Sequence, residues 1–454
     1  MGQNNYVLEP LFGKILSPFE RFLERTTAGG IVLVGATVVT LVLANSTWGS
    51  SLRHLWEMPA RISIGGRLLD LTLHQWVNEG LMALFFLVVG LELKREIMVG
   101  ELSTPKDGSL PVVAALGGMI GPALIYHAIN PVGPAARGWG IPMATDIAFS
   151  IGILVLLAGR IPKGLIIFLT ALAIADDLGA VLIIAVFYTR DLSLHSLGSA
   201  AGILALLALL NRGGIRHPLP YGVLGLMLWA ALLHSGVHAT IAGVLLAFTI
   251  PARPAFTPRE FERRLLQLQQ SLRSEANDPL ACVHPLKCPT MATVAENLEK
   301  AARAVQSPQQ HMEHTLSPWV TFLVMPLFAM SNAGVDFSSI QLGESLRHPV
   351  TLGVILGLVL GKFIGISGFC WVAHKAGIGR LPHGVRWPHL LGVAWLAGIG
   401  FTMSLFIGQL AFADPALVER AKLGILIASA ISGVVGLVWL IMAKPAERND
   451  AGSL

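Results

Sequence analysis

Four ionisable side chains stand in stretches that are otherwise apolar: Asp146, Asp176, Asp177 and Lys362. At the centre of a bilayer such a residue costs about 2.5–3.5 kcal/mol on insertion scales, so a chain that keeps several uses them. Asp176 and Asp177 are adjacent in Thr170-Ala-Leu-Ala-Ile-Ala-Asp-Asp-Leu-Gly-Ala-Val-Leu-Ile-Ile184, with no basic residue nearby. Neighbours on a helix point about 100° apart. One carboxylate therefore lines a water-filled site while the other meets a neighbouring helix. Lys362 is centred in Leu356-Gly-Leu-Val-Leu-Gly-Lys-Phe-Ile-Gly365. A buried ammonium needs a counter-charge, and the carboxylates are the strong candidates; a pair of this kind also serves simply to staple two helices. Asp146 follows the interrupted stretch Gly138-Trp-Gly-Ile-Pro-Met-Ala-Thr-Asp146. A helix break frees backbone carbonyls and amides and exposes the partial charges of helix ends. Asp146 is suited to balance positive ends and Lys362 negative ones. Thr145 adds a hydroxyl and a carbonyl. Carboxylate, carbonyl and hydroxyl oxygens are what a hard cation such as Na+ takes as ligands.

The elements that position these residues are membrane helices. Of 454 residues, 54% are apolar and 13% are charged, about half the charge content of a soluble domain. Glycine is abundant at 48, as in packed membrane helices. Charge-poor runs recur at 31–44, 81–91, 165–175, 200–210, 222–233, 350–360 and 423–442, and several approach the ~20 residues that cross a bilayer. With the N-terminus assigned to the cytoplasm, 23 of the 32 Lys and Arg fall in loops on that side, eight on the other, and Lys362 within a span. This bias places both termini in the cytoplasm and requires an even number of spans; twelve fits the segmentation. The basic balance thus reports topology rather than nucleic-acid binding. The first apolar run lacks a small-residue cleavage site after it and reads as the first span, not a signal peptide.

The expected organisation is a cytoplasmic lead-in at 1–28, spans one to eight at 29–251, a cytoplasmic insertion at 252–307, spans nine to twelve at 308–443, and a cytoplasmic tail at 444–454. The insertion is rich in Gln, Glu, Arg and Pro, with amphipathic helices expected over 260–275 and 291–305. At 61–71, apolar alternation around Gly65-Gly66 is a two-residue hairpin signal. The exposed edges of such a hairpin would suit pairing with a second copy; an ordinary loop accounts for the segment equally. Cys282 and Cys288 flank His284 with a spacing that is poor for zinc. A second interrupted span, Gly392-Val-Ala-Trp-Leu-Ala-Gly-Ile-Gly-Phe-Thr-Met-Ser404, occupies the place in the second half that 138–146 occupies in the first. Both carry Thr four residues before Phe, at Thr145/Phe149 and Thr402/Phe406. Paired breaks of this kind are the sequence pointer to a transporter binding site.

Met143-Ala-Thr-Asp-Ile-Ala-Phe-Ser150, Ala171-Leu-Ala-Ile-Ala-Asp-Asp-Leu-Gly179, Ser235-Gly-Val-His-Ala-Thr240, Pro326-Leu-Phe-Ala-Met-Ser-Asn-Ala-Gly334, Gly361-Lys362 and Gly398-Ile-Gly-Phe-Thr-Met-Ser404 together resemble the NhaA sodium/proton antiporters over nearly the whole chain except 252–307. The resemblance implies an all-α membrane protein of about twelve transmembrane helices, with inverted-topology repeats and two discontinuous helices crossing near the midplane. It implies a homodimer in a bacterial inner membrane, with the 61–71 hairpin the candidate contact between copies. It implies that Asp176 and Asp177 hold Na+, Li+ or protons, with Asp146 and Lys362 as charge-compensating neighbours, and that no further cofactor is needed. Family pH regulation maps onto Glu92, Arg95 and Glu96 in Gly90-Leu-Glu-Leu-Lys-Arg-Glu96, and onto Glu313 in Met312-Glu-His-Thr-Leu-Ser-Pro-Trp319; these are equally ordinary helix-end charges. His238 fits the family pattern and joins this pH-response group as a further candidate, or is a packing histidine. Ser317 stands where relatives can carry a second His, and Glu79 replaces a common Asp.

The expected activity is pH-regulated, electrogenic exchange of Na+ or Li+ for H+, with cation and protons competing for buried carboxylates under alternating access. An intramembrane aspartyl protease would carry a Gly-x-Gly-Asp pattern, which does not occur. A cation channel is disfavoured by paired broken helices and a lysine facing the acids, which suit a binding site better than a continuous pore.

Overall fold

The computed structural model describes residues 28–443 apart from 65–66, 158, 190–191, 277–288 and 338–340. The lead-in before Ala28, the 444–454 tail, the Gly65-Gly66 turn, Cys282 and Cys288 lie outside the described residues. The chain is helical almost throughout, as lipid requires of a backbone that must satisfy its own hydrogen bonds. Helix α1 (Ala28–Ala44) turns through 112° into α2 (Gly49–Glu57). Strands β1 (Pro59–Ile64) and β2 (Arg67–Thr72) then pair antiparallel, with Arg61 opposite Asp70 and an Nε–Oδ1 distance of 3.0 Å. This hairpin is tied to the next helix by Trp76 Nε1, which donates to the Ala60 carbonyl at 3.0 Å.

Helix α3 (Leu73–Val99) contains a π-turn at Trp76–Leu81. It is followed by α4 (Pro105–Ile129), a 3-10 segment (Pro134–Met143), α5 (Ile147–Leu156), α6 (Lys163–Phe187), α7 (Leu194–Arg212), α8 (Pro218–Leu233) and α9 (Ile241–Thr249). Helices α10 (Pro258–Ala276) and α11 (Pro289–Val305) form the 252–307 segment and pack on each other. Its two ends meet: the Ala255 and Phe256 amides donate to the Ala304 carbonyl at 2.9 and 3.0 Å, and the Gln309 amide to the Pro251 carbonyl at 3.2 Å. Apart from a short helical turn at Leu342–Arg347, the remaining helices are α12 (Pro308–Trp319), α13 (Met325–Asn332), α14 (Pro349–Lys375, with a π-turn at Gly357–Gly361), α15 (Trp387–Leu396), α16 (Phe401–Ala411) and α17 (Pro415–Met442).

Among the described residues, seven helices are long and apolar enough to cross a membrane, or nine if each of two bent pairs counts as one span. The chain is therefore a multi-pass membrane protein. The expectation of twelve spans exceeds this count because α8 has 16 residues, α9 has nine, and 308–332 is interrupted by a π-turn. Faces such as Leu182, Val186 and Val434 are open, while the inner faces of α6 and α14 are closed. The tightest seam joins α4 to α14. A Cβ on Gly117 would meet the Gly365 carbonyl oxygen at 2.3 Å, and one on Gly121 the Gly361 oxygen at 2.6 Å. Only glycine lets two backbones approach so closely. This seam fixes the height of Lys362, which stands between Gly361 and Gly365.

Candidate functional site

Two interrupted helices meet at the centre of the molecule. In the first, the 3-10 segment ends at Met143, 144–146 runs extended, and α5 begins at Ile147. In the second, α15 ends at Leu396 and α16 starts at Phe401, bent by 45° across the Gly398–Gly400 break. The breaks cross in contact. The Asp146 amide donates to the Ile399 carbonyl at 2.6 Å, and Thr145 Oγ1 donates to the Ala397 carbonyl at 2.9 Å. Two serines close further loose carbonyls. Ser150 Oγ donates to Leu396 O at 3.0 Å and Ser404 Oγ to Ile141 O at 2.7 Å. Backbone groups freed by the breaks are thus paired across the crossing, as buried polar groups must be.

Asp146 caps both half-helices. Its Oδ1 accepts from the Phe149 amide at 3.2 Å, at the start of α5. Its Oδ2 accepts from the Thr402 amide at 3.0 Å and hydroxyl at 2.6 Å, at the start of α16. A carboxylate at two positive helix ends is the arrangement the macrodipoles favour.

Asp176 and Asp177 lie midway along α6, both buried. Asp176 Oδ2 accepts from Lys362 Nζ, which also donates to Thr145 Oγ1 at 3.0 Å. The ammonium reaches the negative end of α15 only through that hydroxyl, which passes on to Ala397 O. Asp177 faces elsewhere. Both of its oxygens, and Oδ1 of Asp176, are buried without a hydrogen-bond partner in the protein. Asp177 lines a cavity of about 250 Å³, shared with Glu92, Asp146, Ser317, Thr321 and Thr402. Thr145 does not stand free for a cation: it donates to one carbonyl and accepts from Lys362, which commits its hydroxyl. On the two α6 carboxylates, both oxygens of Asp177 and Oδ1 of Asp176 remain open.

The residues tied to pH response divide between two places. Arg95 pairs with Glu313 at 2.5 Å and with Glu96 at 3.3 Å, and Glu92 lines the cavity one turn away on α3. Gln309 Nε2, donating to Leu91 O at 2.8 Å, holds α12 against α3 beside them. His238 is not among this group. Its Nδ1 is 3.8 Å from Glu79 and its Nε2 3.1 Å from Tyr188 O, at the other end of α3. Glu79 and Arg95 are 16 residues apart on that helix, about 24 Å. Sequence reasoning noted the Thr402 motif without seeing its bond to Asp146, and it missed the two carbonyl-closing serines. The hydroxyls immediately following each break were the available signal.

A profile of the Na+/H+ antiporter 1 family matches residues 20–440 of the chain. The Na+/H+ antiporter NhaA of Syntrophobacter fumaroxidans is 66% identical over 448 residues, covering 99% of this chain and 95% of that protein. The NhaA of Acidithiobacillus ferrooxidans is 58% identical over 430 residues, covering 95% and 98%. A match over 99% of the chain takes in 252–307. That segment, which sequence reading set apart from the family pattern, therefore has a counterpart in at least one relative. On this span and identity the chain belongs to the Na+/H+ antiporter 1 family, the family of the NhaA proteins.

Proposed function

We propose that this protein exchanges Na+ (or Li+) for H+ across the bacterial inner membrane, with cation and protons competing for Asp176 and Asp177. Membership of an antiporter family makes it a transporter rather than an enzyme. The observation that carries the site assignment is that three carboxylate oxygens of Asp176 and Asp177, midway along α6 and fully buried, have no hydrogen-bond partner in the protein. An ionised carboxylate in that setting is stabilised by a proton or by a metal cation, and both cannot occupy it at once. Asp177 receives either from the cavity. Asp176 is released to join it when Lys362 gives up its bond. Asp146 keeps the two half-helix ends together and contributes negative charge without donating a free oxygen; Thr145 orients Lys362. Two carboxylates per cation support an electrogenic exchange in which more than one proton moves for each Na+.

The family reading also supports twelve crossings related by inverted repeats, which requires α8, α9 and 308–332 to span, with both termini in the cytoplasm. It supports a homodimer paired through the β1–β2 hairpin, embedded in lipid. Glu92, which lines the cavity, with Arg95, Glu96 and Glu313 beside it, forms a group suited to set the pH at which exchange begins. His238, with Glu79, would act from the other end. The test is a sodium jump on proteoliposomes loaded with a pH-sensitive dye. Sodium-driven proton movement, lost in Asp177→Asn, is expected. A sodium current that needs no proton counterflow would instead make the protein a channel.

A further inference from the structure

A hollow of about 330 Å³ opens on the outer surface of the helix bundle, where α1, α5 and α17 come together. Its rim is Val34 and Val38 of α1 and Val434 of α17, all exposed. Its floor is Ile153 of α5, Ile399 of the second break and the Phe149–Phe401 pair, whose rings meet edge to face at 5.3 Å. The hollow forms because α1 and α5 touch at one point and then part. A Cβ on Gly30 would meet the Ala148 carbonyl oxygen at 3.3 Å and the Gly152 Cα at 3.9 Å. Past that contact α1 presents Val34 and Val38, and the hollow lies between them and α17.

This hollow and the carboxylate cavity stand back to back. Leu33, Ala148 and Thr402 line the carboxylate cavity, and their chain neighbours Val34, Phe149 and Phe401 line the hollow. The wall between the two is therefore a single helix thick on α1, α5 and α16. The two rings of the floor also sit on the caps of the crossing. The Phe149 amide donates to Asp146 Oδ1, and Phe401 directly precedes Thr402, whose hydroxyl donates to Asp146 Oδ2.

Depth and chemistry name the occupant. Ser429, in the hollow, is 14 residues from Pro415 and 13 from Met442 at the ends of α17, about 20 Å from each. That is the middle of the bilayer, where a lipid offers only its hydrocarbon. Water needs two to four polar partners to settle in a hollow. Here Thr37 Oγ1 is spent on Leu33 O at 2.8 Å, which leaves the buried, unpartnered Ser429 hydroxyl against a lining of Val, Ile, Leu and Phe.

We propose that this hollow is a binding site for one acyl chain of a membrane phospholipid, which enters between Val34 and Val434 and rests on the Phe149–Phe401 pair. The chain takes the place that a side chain would fill in a closed interface, and it supports the crossing from behind.

Photolabelling tests this in vesicles of phosphatidylethanolamine and phosphatidylglycerol that contain a phospholipid with a diazirine at the end of one chain. After illumination, digestion and mass spectrometry, adducts are expected on the floor at Ile153 as well as on Leu226, a lipid-facing residue halfway along α8. Gly433→Leu fills the hollow from α17. A Cβ at Gly433 meets only the Ile153 and Ile399 side chains, at 3.5 Å or more, so the start of the new side chain fits. The Ile153 adduct is expected to be lost in this variant and the Leu226 adduct kept. Ser429→Leu, which exchanges an unpaired hydroxyl for hydrocarbon, is expected to do the same and stands in if the first variant does not fold. Adducts confined to outward residues such as Leu226, or an Ile153 adduct unchanged in the folded variants, would overturn the proposal. Protection of Val34 and Val434 together with Ile153 in dimeric protein would seat a second copy there and overturn it equally. Labelling is read independently of transport, so loss of this site leaves the exchange reading standing, and the reverse.

Discussion

Asp146 and Asp177 are buried carboxylates lining one cavity, and their surroundings differ completely. Asp146 accepts three hydrogen bonds, two from backbone amides and one from a hydroxyl. Asp177 accepts none. The first is satisfied by the protein and holds two half-helices in register. The second meets no donor on either oxygen, which is what the proposed ion-holding role rests on. Burial and charge, which the two share, do not distinguish the roles proposed for them; the count of donors does. Asp176 lies between them, with one oxygen on Lys362 and one open.

The sharpest way to break this comparison is Asp177→Asn. With no partner to lose, the variant is expected to melt at the wild-type temperature in detergent and to abolish exchange altogether. Normal exchange would return Asp177 to a structural role. Next comes the pH dependence of sodium binding, read by calorimetry between about pH 6 and 9. Protonated carboxyls cannot ligate the ion, so the apparent dissociation constant should rise as pH falls, by up to about tenfold per unit for each competing proton. An affinity that does not change with pH would end the competition mechanism.

Lys362→Met sharpens the middle case. It leaves Asp176 buried and unpaired, and stability should drop by about 3–5 kcal/mol. Adding Asp176→Asn should restore most of that loss in a thermal melt. Thr402→Val removes one donor from Asp146 and should cost about 1–3 kcal/mol, with exchange reduced and still measurable. The smallest effect is expected from replacing 260–305 by a short Gly/Ser linker. The segment closes on itself at Ala255, Phe256 and Ala304, so transport should persist, with at most a shifted pH profile. Complete loss of exchange in folded, inserted protein would show that the segment is integral.

Much of the site was legible because lipid makes charge expensive. Asp146, Asp176, Asp177 and Lys362 stood out against apolar runs, and the Gly/Pro breaks marked where helices stop. The 100° offset of adjacent helical residues separated the roles of the two acids without saying which was which. Pairing across the crossing was not legible. Whether Thr145 offers its hydroxyl to a cation or to Lys362 depends on atoms more than 200 residues away. The number of spans was only partly readable, because α9 is short and rests on α3 through Gly90 and Gly243 rather than on its own apolar length. His238 was grouped with Arg95 by family pattern, and only the fold separates them by the length of a helix.

The glycine seam between α4 and α14 makes the proposed ion site sensitive to changes in residues that lie outside it. With carbonyl oxygens standing where a methyl group would have to go at Gly117 and Gly121, one added carbon on α4 pushes α14 outward as a rigid rod. Lys362 travels with it. Even a sub-ångström displacement lengthens the contact to Asp176 and leaves an ammonium in a dry interior. Where backbone meets backbone, at Gly117 with Gly365 and at Gly121 with Gly361, no rotamer can absorb the strain. A methyl group at Gly117 or Gly121 is therefore expected to loosen the Lys362–Asp176 contact, while changes on the lipid-facing surfaces of the same two helices leave it alone.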